Sequence, residues 1–246
     1  MPGRLWYRDH QPNIATGATL SDLIKLSRRS FIVMPLALAA CKPGADVLKI
    51  SGTTMGTVYN VVAVDHARAV TERQARAGIE DALALVNAQM SNWDAGSEIS
   101  RINAGGTAPQ RLSPELAEVM QAAEDVHLAS EGRFDTTMGP LIELWGCGAQ
   151  GDRQVPDTPA IDAALARAGH GNSLTLAGAE LQKKQADAQV YLAAIGKGYG
   201  ADLVGRALAD LGLKDFMVEI GGDLYASGVN PDGLPNARMV LLKGVT

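Results

Sequence analysis

The sequence contains few cysteines and few aromatic residues, and it has neither a long basic run nor a long hydrophobic run. Two cysteines among 246 residues cannot build a disulfide framework or a four-cysteine zinc site. The chain carries 22 lysines and arginines against 27 aspartates and glutamates, so no nucleic-acid partner is expected. Hydrophobic residues make up 46% and charged residues 20% of the chain, which excludes collagen-like, coiled-coil and disordered classes.

The first 40 residues have the pattern of an export signal. The longest apolar run, residues 31–40, is about half the length of a membrane-spanning helix, which needs about 20 residues. It follows SRRSFI (27–32), which resembles a twin-arginine signal, and it ends in LAAC (38–41), which resembles a lipobox. The sequence therefore predicts a twin-arginine lipoprotein signal peptide over residues 1–40, with Cys41 as the lipidated first mature residue.

This signal peptide predicts an exported protein on the periplasmic side, held to the membrane by lipid chains on Cys41. Cys147 is then the only free cysteine of the mature chain. The alternative interpretation of residues 27–41 is a short buried helix that carries an incidental arginine pair.

Residues 41–246 are predicted to form an α+β domain with mixed sheets and packed helices. Apolar residues at helical spacing predict helices at about 67–89, 113–131, 159–168 and 199–211. Short runs rich in β-branched and apolar residues predict strands at about 57–64, 173–176, 180–185, 189–192, 216–220, 224–227 and 238–243. Residues 91–106 show no periodicity and are predicted to be a loop. Strands and helices do not alternate strictly, which favours this class over a doubly wound fold.

Familiar nucleophile and metal signatures are missing from the sequence. It contains no G-x-S-x-G, no H-E-x-x-H and no paired C-x-x-C motif. The four histidines are scattered, and His127, beside Asp125 on a predicted helix, is expected to be half-buried or on the surface. Gly196-Lys197-Gly198 precedes a predicted helix, where backbone N–H groups and the helix dipole can bind a phosphate, although the spacing is not that of a P-loop.

Glycine-marked segments at 53–57, 90–103, 132–141 and 194–202, followed by GGD at 221–223, point to one ligand site. They contain M-G-T (55–57), S-x-W-x-x-x-S-E-x-S-x-x-N (91–103), F-D-x-T-x-G-P-L (134–141) and I-x-K-G-Y (195–199). In these motifs and their order, the chain from residue 51 to about 228 resembles the ApbE-type FAD:protein FMN transferases. The resemblance implies an ApbE-like fold and a metal-dependent transfer of FMN from FAD to a threonine hydroxyl of an acceptor protein, with release of AMP.

The resemblance also assigns roles to individual residues. Met55 matches the residue that lies against the flavin, and Trp93 matches an aromatic residue that stacks on a ring of FAD. Lys197 matches a residue near FAD, where a cation suits the pyrophosphate. Ala194 matches a position whose backbone carbonyl ligates Mg²⁺, a hard cation that prefers oxygen.

A further stretch, Arg133, Phe134 and Asp135, matches residues of the family that contact the dinucleotide. Simpler structural roles stand beside these assignments. In this alternative interpretation, Met55 and Phe134 are core residues, Trp93 anchors a loop, and Asp135 caps a helix or turn.

The sequence departs from the family at two places. Tyr191 stands where the family usually has an aspartate that contacts FAD, and Ala193 replaces a glycine or serine. Nothing after Asn230 matches the family's His-containing D-P-x-T-G segment or the later residues that complete its metal site. The domain is therefore expected to be incomplete at its carboxyl terminus, with the catalytic base unassigned and no flavin transfer by this chain alone.

Three hypotheses of function follow from the sequence. The first is a shortened flavin transferase whose partner is an acceptor flavoprotein subunit of a membrane redox or respiratory complex. The second is a non-catalytic, FAD-binding periplasmic lipoprotein that serves as a carrier or scaffold. The third is a structural lipoprotein whose glycine-rich loops bind nothing.

Overall fold

The computed structural model of the chain describes residues 44–148 and 155–236, without the side chain of Asn172. The predictions for the signal peptide, for Cys41 and for the strand at 238–243 lie outside these residues. The helices and strands given below all belong to one compact unit that begins at Ala45.

Helices and antiparallel sheets together make up the fold, which confirms the predicted α+β class. The strands are β1 (Asp46–Thr54), β2 (Thr57–Asp65), β3 (Gln110–Arg111), β4 (Leu174–Ala177), β5 (Glu180–Lys183), β6 (Asp215–Ile220) and β7 (Asp223–Ser227). The helices are α1 (Glu72–Met90), α2 (Glu98–Ala104), α3 (Pro114–Ala129), α4 (Gly139–Leu144), α5 (Thr158–Leu165), α6 (His170–Ser173) and α7 (Gly196–Asp210).

The larger sheet has the strand order β1-β2-β6-β7, with each neighbouring pair antiparallel. A two-residue turn, Met55-Gly56, joins β1 to β2, and both residues have positive φ angles, 47° and 70°. Positive φ at both central positions is the geometry that matches the right-handed twist of a hairpin. Gly221 and Gly222, with φ angles of 55° and 98°, make the corresponding turn between β6 and β7.

Helices α1 and α7 pack against one face of this sheet and form the first core. Their apolar residues recur at helical spacing, as the sequence predicts, so that each helix buries one stripe. The buried members of this core include Ile50, Val61, Ile79, Leu83, Val204, Leu208, Phe216, Val218 and Ile220.

A second core lies at the carboxyl-terminal end of α1. There α2, α3 and the small antiparallel sheet β3-β5-β4 pack around Val86 and Met90. Other buried members are Ile99, Ile102, Leu116, Val119, Met120, Leu174, Leu181, Val190 and Leu192. Met55 packs against both cores, so the β1–β2 turn lies where they meet.

Three predicted elements need correction. Residues 189–192 are not a strand, because their backbone bonds go to the side chains of Asn92 and Asn103 and to the carbonyl of Thr136 instead of to a neighbouring strand. The predicted loop at 91–106 contains α2, a seven-residue helix that buries only Ile99 and Ile102. Helix α1 begins at Glu72 rather than near 67, because Thr71 caps it in a capping box with Gln74.

Among the described residues, no helix combines the length and the apolar character that crossing a bilayer requires.

Candidate functional site

The β1–β2 turn lies across the first turns of α7. The terminal methyl group of Met55 reaches Gly200 so closely that a Cβ at residue 200 would lie 2.9 Å from Met55 Cε. The same Cβ would lie 3.5 Å from Ile220 Cδ1. The absence of a side chain at position 200 therefore provides the space that the Met55 side chain occupies.

The loop after α1 holds Trp93 at the surface through hydrogen bonds of three serines, Ser91, Ser97 and Ser100. Ser91 Oγ accepts hydrogen bonds from the backbone N–H groups of Trp93 and Asp94, at 3.3 and 3.2 Å. The Ser91 carbonyl accepts hydrogen bonds from the hydroxyls of Ser97 and Ser100, at 2.6 and 3.0 Å. Trp93 itself is 60% exposed, so the loop presents an aromatic ring instead of burying it.

Two asparagines bond the segment that leads into α7. Asn103 Nδ2 donates to the carbonyl of Val190 at 2.9 Å, and Asn103 Oδ1 accepts from the N–H of Val190 at 2.8 Å. Asn92 Nδ2 donates to the same carbonyl at 2.8 Å, and its Oδ1 accepts from the N–H of Leu192 at 3.3 Å. These bonds take the place of strand pairing for Val190 and Leu192. They position the backbone a few residues before α7 begins at Gly196.

A buried lysine supports this arrangement from behind. Lys183 is 1% exposed, and its Nζ donates to the carbonyls of Asn103 and Ala186 at 2.7 and 2.8 Å. Burial lowers the pKa of Lys183, while the nearby Asp187 carboxylate opposes that shift.

Helix α7 points its amino terminus at the space between Met55 and Trp93. Its first turn contains no acidic residue, and Lys197 stands there, partly exposed. A helix of 15 residues carries free N–H groups and a partial positive charge at this end. The region is therefore suited to an anion such as a phosphate.

A cavity of about 210 Å³ opens between these elements. Its lining residues are Met55, Val86, Asn87, Met90, Ser91, Trp93, Leu192, Ala193, Gly196 and Lys197. Apolar side chains from α1 form one wall, and the amino terminus of α7 with Lys197 forms the other. The combination favours a ligand that has a flat apolar ring and a negatively charged group.

The profile of the ApbE family matches residues 55–238 of the chain. The chain belongs to the ApbE family.

Two curated relatives are FAD:protein FMN transferases. That of Vibrio cholerae is 35% identical over 202 residues, which cover 81% of this chain and 60% of the relative. That of Haemophilus influenzae is 36% identical over 212 residues, which cover 83% of this chain and 61% of the relative. The chain thus spans about 60% of the length of these relatives.

Solved structures of ApbE proteins have the same fold. The flavin transferase ApbE of Vibrio cholerae superposes with a TM-score of 0.75 at 35% identity, covering 78% of this chain and 62% of that one. The apo flavinyl transferase ApbE of Pseudomonas stutzeri gives a TM-score of 0.73 at 33% identity, with coverages of 78% and 64%.

Of the residues that the ApbE motifs single out, Met55, Trp93 and Lys197 line the cavity together. Ala194 lies in the exposed turn between two lining residues, Ala193 and Gly196. Tyr191 is buried and is not among the lining residues. Its hydroxyl donates a hydrogen bond to Glu143 Oε1, so it is directed towards α4.

The stretch Arg133, Phe134 and Asp135 also lies outside the cavity lining. Arg133 is exposed and pairs with Glu131 at 3.8 Å. Asp135 Oδ1 accepts from the N–H and the hydroxyl of Thr137 at 2.7 and 2.6 Å, and its Oδ2 accepts from the N–H of His170 at 3.1 Å. Asp135 thus closes a local turn, while contact of this stretch with FAD stays a prediction.

Two histidines stack beside this stretch without forming an accessible site. The rings of His127 and His170 lie 4.9 Å apart, and His127 Nδ1 bonds to the carbonyl of Phe134 at 2.7 Å. His170 pairs with Glu124 and faces the Thr136 hydroxyl at 3.5 Å. Because His170 is 3% and Thr136 2% exposed, no substrate reaches this arrangement. His127 is half-buried, as expected from the sequence.

An ion pair joins α3 to α7 behind the cavity. Arg206 donates two hydrogen bonds to Glu118, at 2.7 and 3.0 Å, and the Tyr199 hydroxyl donates a third at 2.7 Å. The bonds from Arg206 and then from Tyr199 lower the pKa of Glu118 to about 2. The pair adds a polar contact between α3 and α7 to the apolar packing of α7 in the two cores.

Several lining residues were not predicted from the sequence, and Asn87 is the most informative of them. It follows Val86 on α1 and donates hydrogen bonds to Thr54 Oγ1 at 3.1 Å and to the carbonyl of Leu83 at 2.9 Å. In the sequence, Asn87 is simply a polar residue next to the apolar stripe of a predicted helix, which does not single it out.

The described residues contain no group of three or more His, Cys, Asp or Glu side chains that could hold a metal ion. A backbone carbonyl at Ala194 would provide one oxygen ligand, which alone does not make a metal site.

Proposed function

We propose that this protein is a flavin transferase that moves FMN from FAD to a threonine hydroxyl of an acceptor protein, with release of AMP and dependence on Mg²⁺. The observation that carries the proposal is the cavity at the amino terminus of α7. It brings together Met55, Trp93 and Lys197, which lie in three separate parts of the sequence. The names of the Vibrio cholerae and Haemophilus influenzae relatives support the same activity.

The cavity residues fit one part of FAD. Trp93 offers an exposed ring for stacking, Met55 offers a soft apolar contact, and Lys197 with the α7 amino terminus offers positive charge for the pyrophosphate. A Cβ added at Gly196 would meet nothing within 4 Å, so the space in front of this residue, which lines the cavity, is open. The volume of 210 Å³ is smaller than the roughly 300–1,000 Å³ of a whole ligand pocket, so it suits part of the dinucleotide.

The proposed reaction forms one bond and breaks one. The threonine oxygen bonds to the phosphorus of the FMN moiety, and the anhydride bond to the AMP phosphate breaks, so that AMP leaves with the bridging oxygen. The hydroxyl proton passes to a base that none of the described residues is assigned to provide. The described side chains do not complete a metal site, and the Ala194 carbonyl is the one described oxygen that the family resemblance assigns to Mg²⁺. Lys197 and the α7 amino terminus would bind and orient the pyrophosphate.

The cellular setting is part of the proposal. The twin-arginine and lipobox patterns before Cys41 support an exported lipoprotein on the periplasmic side of a membrane. Such a location suits an acceptor that is a flavoprotein subunit of a membrane redox or respiratory complex.

Titration with FAD tests the site. We expect flavin fluorescence to be quenched on binding, and Trp93→Leu to raise the Kd about tenfold because stacking is lost. Trp145→Leu is the matched control, since Trp145 is 42% exposed and lies outside the cavity lining. Absence of quenching by the unmodified chain would exclude both flavin hypotheses and leave the structural lipoprotein. Equal effects of the two variants on the Kd for FAD would show that FAD does not bind in this cavity.

A second candidate function is a non-catalytic FAD carrier or scaffold. The observation that favours it is Tyr191, which bonds to Glu143 where the family usually has a carboxylate directed to FAD. Labelling of an acceptor protein with FMN in the presence of Mg²⁺ separates the two candidates. Transfer by this chain, or by this chain extended with the carboxyl-terminal section of a family member, supports the enzyme. FAD binding without transfer by either form supports the carrier.

A further inference from the structure

A second cavity, of about 440 Å³, lies on the other side of Asn87 from the cavity at the amino terminus of α7, which we call the flavin cavity after its proposed ligand. One wall is the β1 segment 51–54, and the other is a stripe of α1. Its lining residues are Ser51, Gly52, Thr53, Thr54, Tyr59, Arg76, Glu80, Leu83, Ala84 and Asn87. We call this feature the β1–α1 groove. Most of its lining side chains are polar or small, unlike those of the flavin cavity.

The groove runs along an open edge of the larger sheet. Among the described residues, β1 pairs only with β2. Val58 lies opposite Thr53, and its carbonyl accepts from the N–H of Gly221 at 3.1 Å, on the β6 side. Because backbone groups in an antiparallel pair alternate in direction, the backbone groups of Thr53 and Ser51 face away from β2. They face the groove.

Arg76 supports this assignment of direction. Its Nη1 donates to the carbonyl of Ser51 at 3.3 Å, reaching the free edge of β1 from α1. Arg76 is held there by Glu72, whose carboxylate accepts from Nη2 at 3.0 Å. The Ser51 carbonyl is thus satisfied. Among the described residues no strand pairs with β1 on this side, so the N–H of Ser51 and the backbone groups of Thr53 have no strand partner there.

The groove is continuous with the flavin cavity. Asn87 lines both, and the groove ends at Thr54, the residue before Met55 of the flavin cavity. An edge strand facing a helix across a groove is the arrangement in which an extended peptide adds to a sheet. The four β1 residues of the groove correspond to about 14 Å of strand.

We propose that the β1–α1 groove binds an extended segment of the acceptor protein as an additional strand on β1, and so brings its threonine to the flavin cavity. This inference rests on the proposed transferase function. The occupant is an extended polypeptide because the groove offers unpaired backbone groups along one wall, and because its open end leads to the site where the threonine reacts. Side chains of the segment that face α1 are small or polar, to match Ala84, Glu80 and Asn87.

The test uses a displayed library of short peptides, each with one threonine, and the complete chain saturated with FAD. The tightest-binding peptide carries a fluorophore, and its Kd is measured by fluorescence anisotropy. Ala84→Arg fills the groove from an exposed position of α1, and we expect it to raise the peptide Kd about tenfold or more. Ala88→Arg, one turn further along and exposed but outside the lining, is the matched control and changes the Kd less than about twofold.

Two further measurements identify strand addition. Ser51→Pro removes the N–H that faces the groove and weakens peptide binding, whereas Lys49→Pro, on the same edge but outside the groove, does not. N-methylation of successive peptide amides weakens binding at every second position, because alternate amides bond to β1.

The outcomes separate the two proposals. No FAD binding by the unmodified chain overturns the proposed function, and this inference with it. Normal FAD binding with no peptide bound overturns this inference alone. Equal effects of Ala84→Arg and Ala88→Arg, or an N-methylation pattern without a two-residue period, also overturn it. If the chain self-associates and Ala84→Arg abolishes that association, the groove binds a second copy of the chain, and this inference is overturned.

Discussion

Met55 has a φ angle of 47° in a hairpin turn and extends its terminal methyl group over Gly200 of α7. Gly200→Ala would place a Cβ 2.9 Å from that methyl group, which lies at the flexible end of the side chain and can move. The adjacent open space is the flavin cavity, so the displaced methionine enters it. We expect FAD binding to weaken about tenfold.

The same substitution should leave the fold intact, because alanine favours a helix over glycine by up to about 1 kcal/mol. Gly198→Ala is the matched control, since its Cβ would meet nothing within 4 Å. Thermal unfolding and FAD titration of both variants measure stability and binding separately. Unchanged FAD binding by Gly200→Ala would show that Met55 does not border the ligand.

At the scale of elements, we expect the ion pair between α3 and α7 to weaken at low pH. The pKa of Glu118 in the folded protein is about 2, below its ordinary value of 4.5, because Arg206 and Tyr199 donate hydrogen bonds to the carboxylate. A lowered carboxyl pKa contributes stability above pH 4.5, and this contribution is lost as the pH falls towards 2. Both partners of the ion pair are about half exposed, so solvent limits the contribution to about 1 kcal/mol or less.

Glu118→Gln is therefore expected to lower the free energy of unfolding by up to about 1 kcal/mol at neutral pH, and by nothing measurable near pH 2. Denaturant unfolding of both proteins across this range provides the measurement. Asp125→Asn, an exposed change on the same helix, is the control. A difference between wild type and Glu118→Gln that does not shrink on acidification would contradict the assignment.

The success of sequence-based prediction differs between the elements for physical reasons. Helices α1, α3 and α7 are predictable because each carries an apolar stripe of several turns, which one sequence displays. Helix α2 is too short to show a period, and its start depends on the Ser97 cap. Residues 189–192 have strand-like composition, yet Asn92 and Asn103 take their backbone bonds. Side-chain bonds between distant segments leave no periodic signal.

At the scale of the whole molecule, the chain folds around two cores that meet at Met55. Of the residues that the family resemblance assigns to FAD, Met55, Trp93 and Lys197 line one cavity. Tyr191 and the stretch 133–135 lie outside its lining, and binding of FAD by any of these residues stays a prediction. The motifs could not indicate Asn87 or the β1–α1 groove, because both arise from the packing of α1 against β1 in three dimensions. The fold class was likewise predictable, whereas the sheet order was not.

The hydrogen bonds of Ser91, Ser97, Ser100 and Asn103, all residues of the S-x-W-x-x-x-S-E-x-S-x-x-N motif, have a consequence for the diagnostic value of this motif. Most polar residues of this motif build the frame, and only Trp93 is presented outward. A chain that retains the motif therefore retains the skeleton of the site, whatever chemistry it carries out. The motif is therefore a marker of how the loop is built, and transfer of flavin is a separate property to be measured.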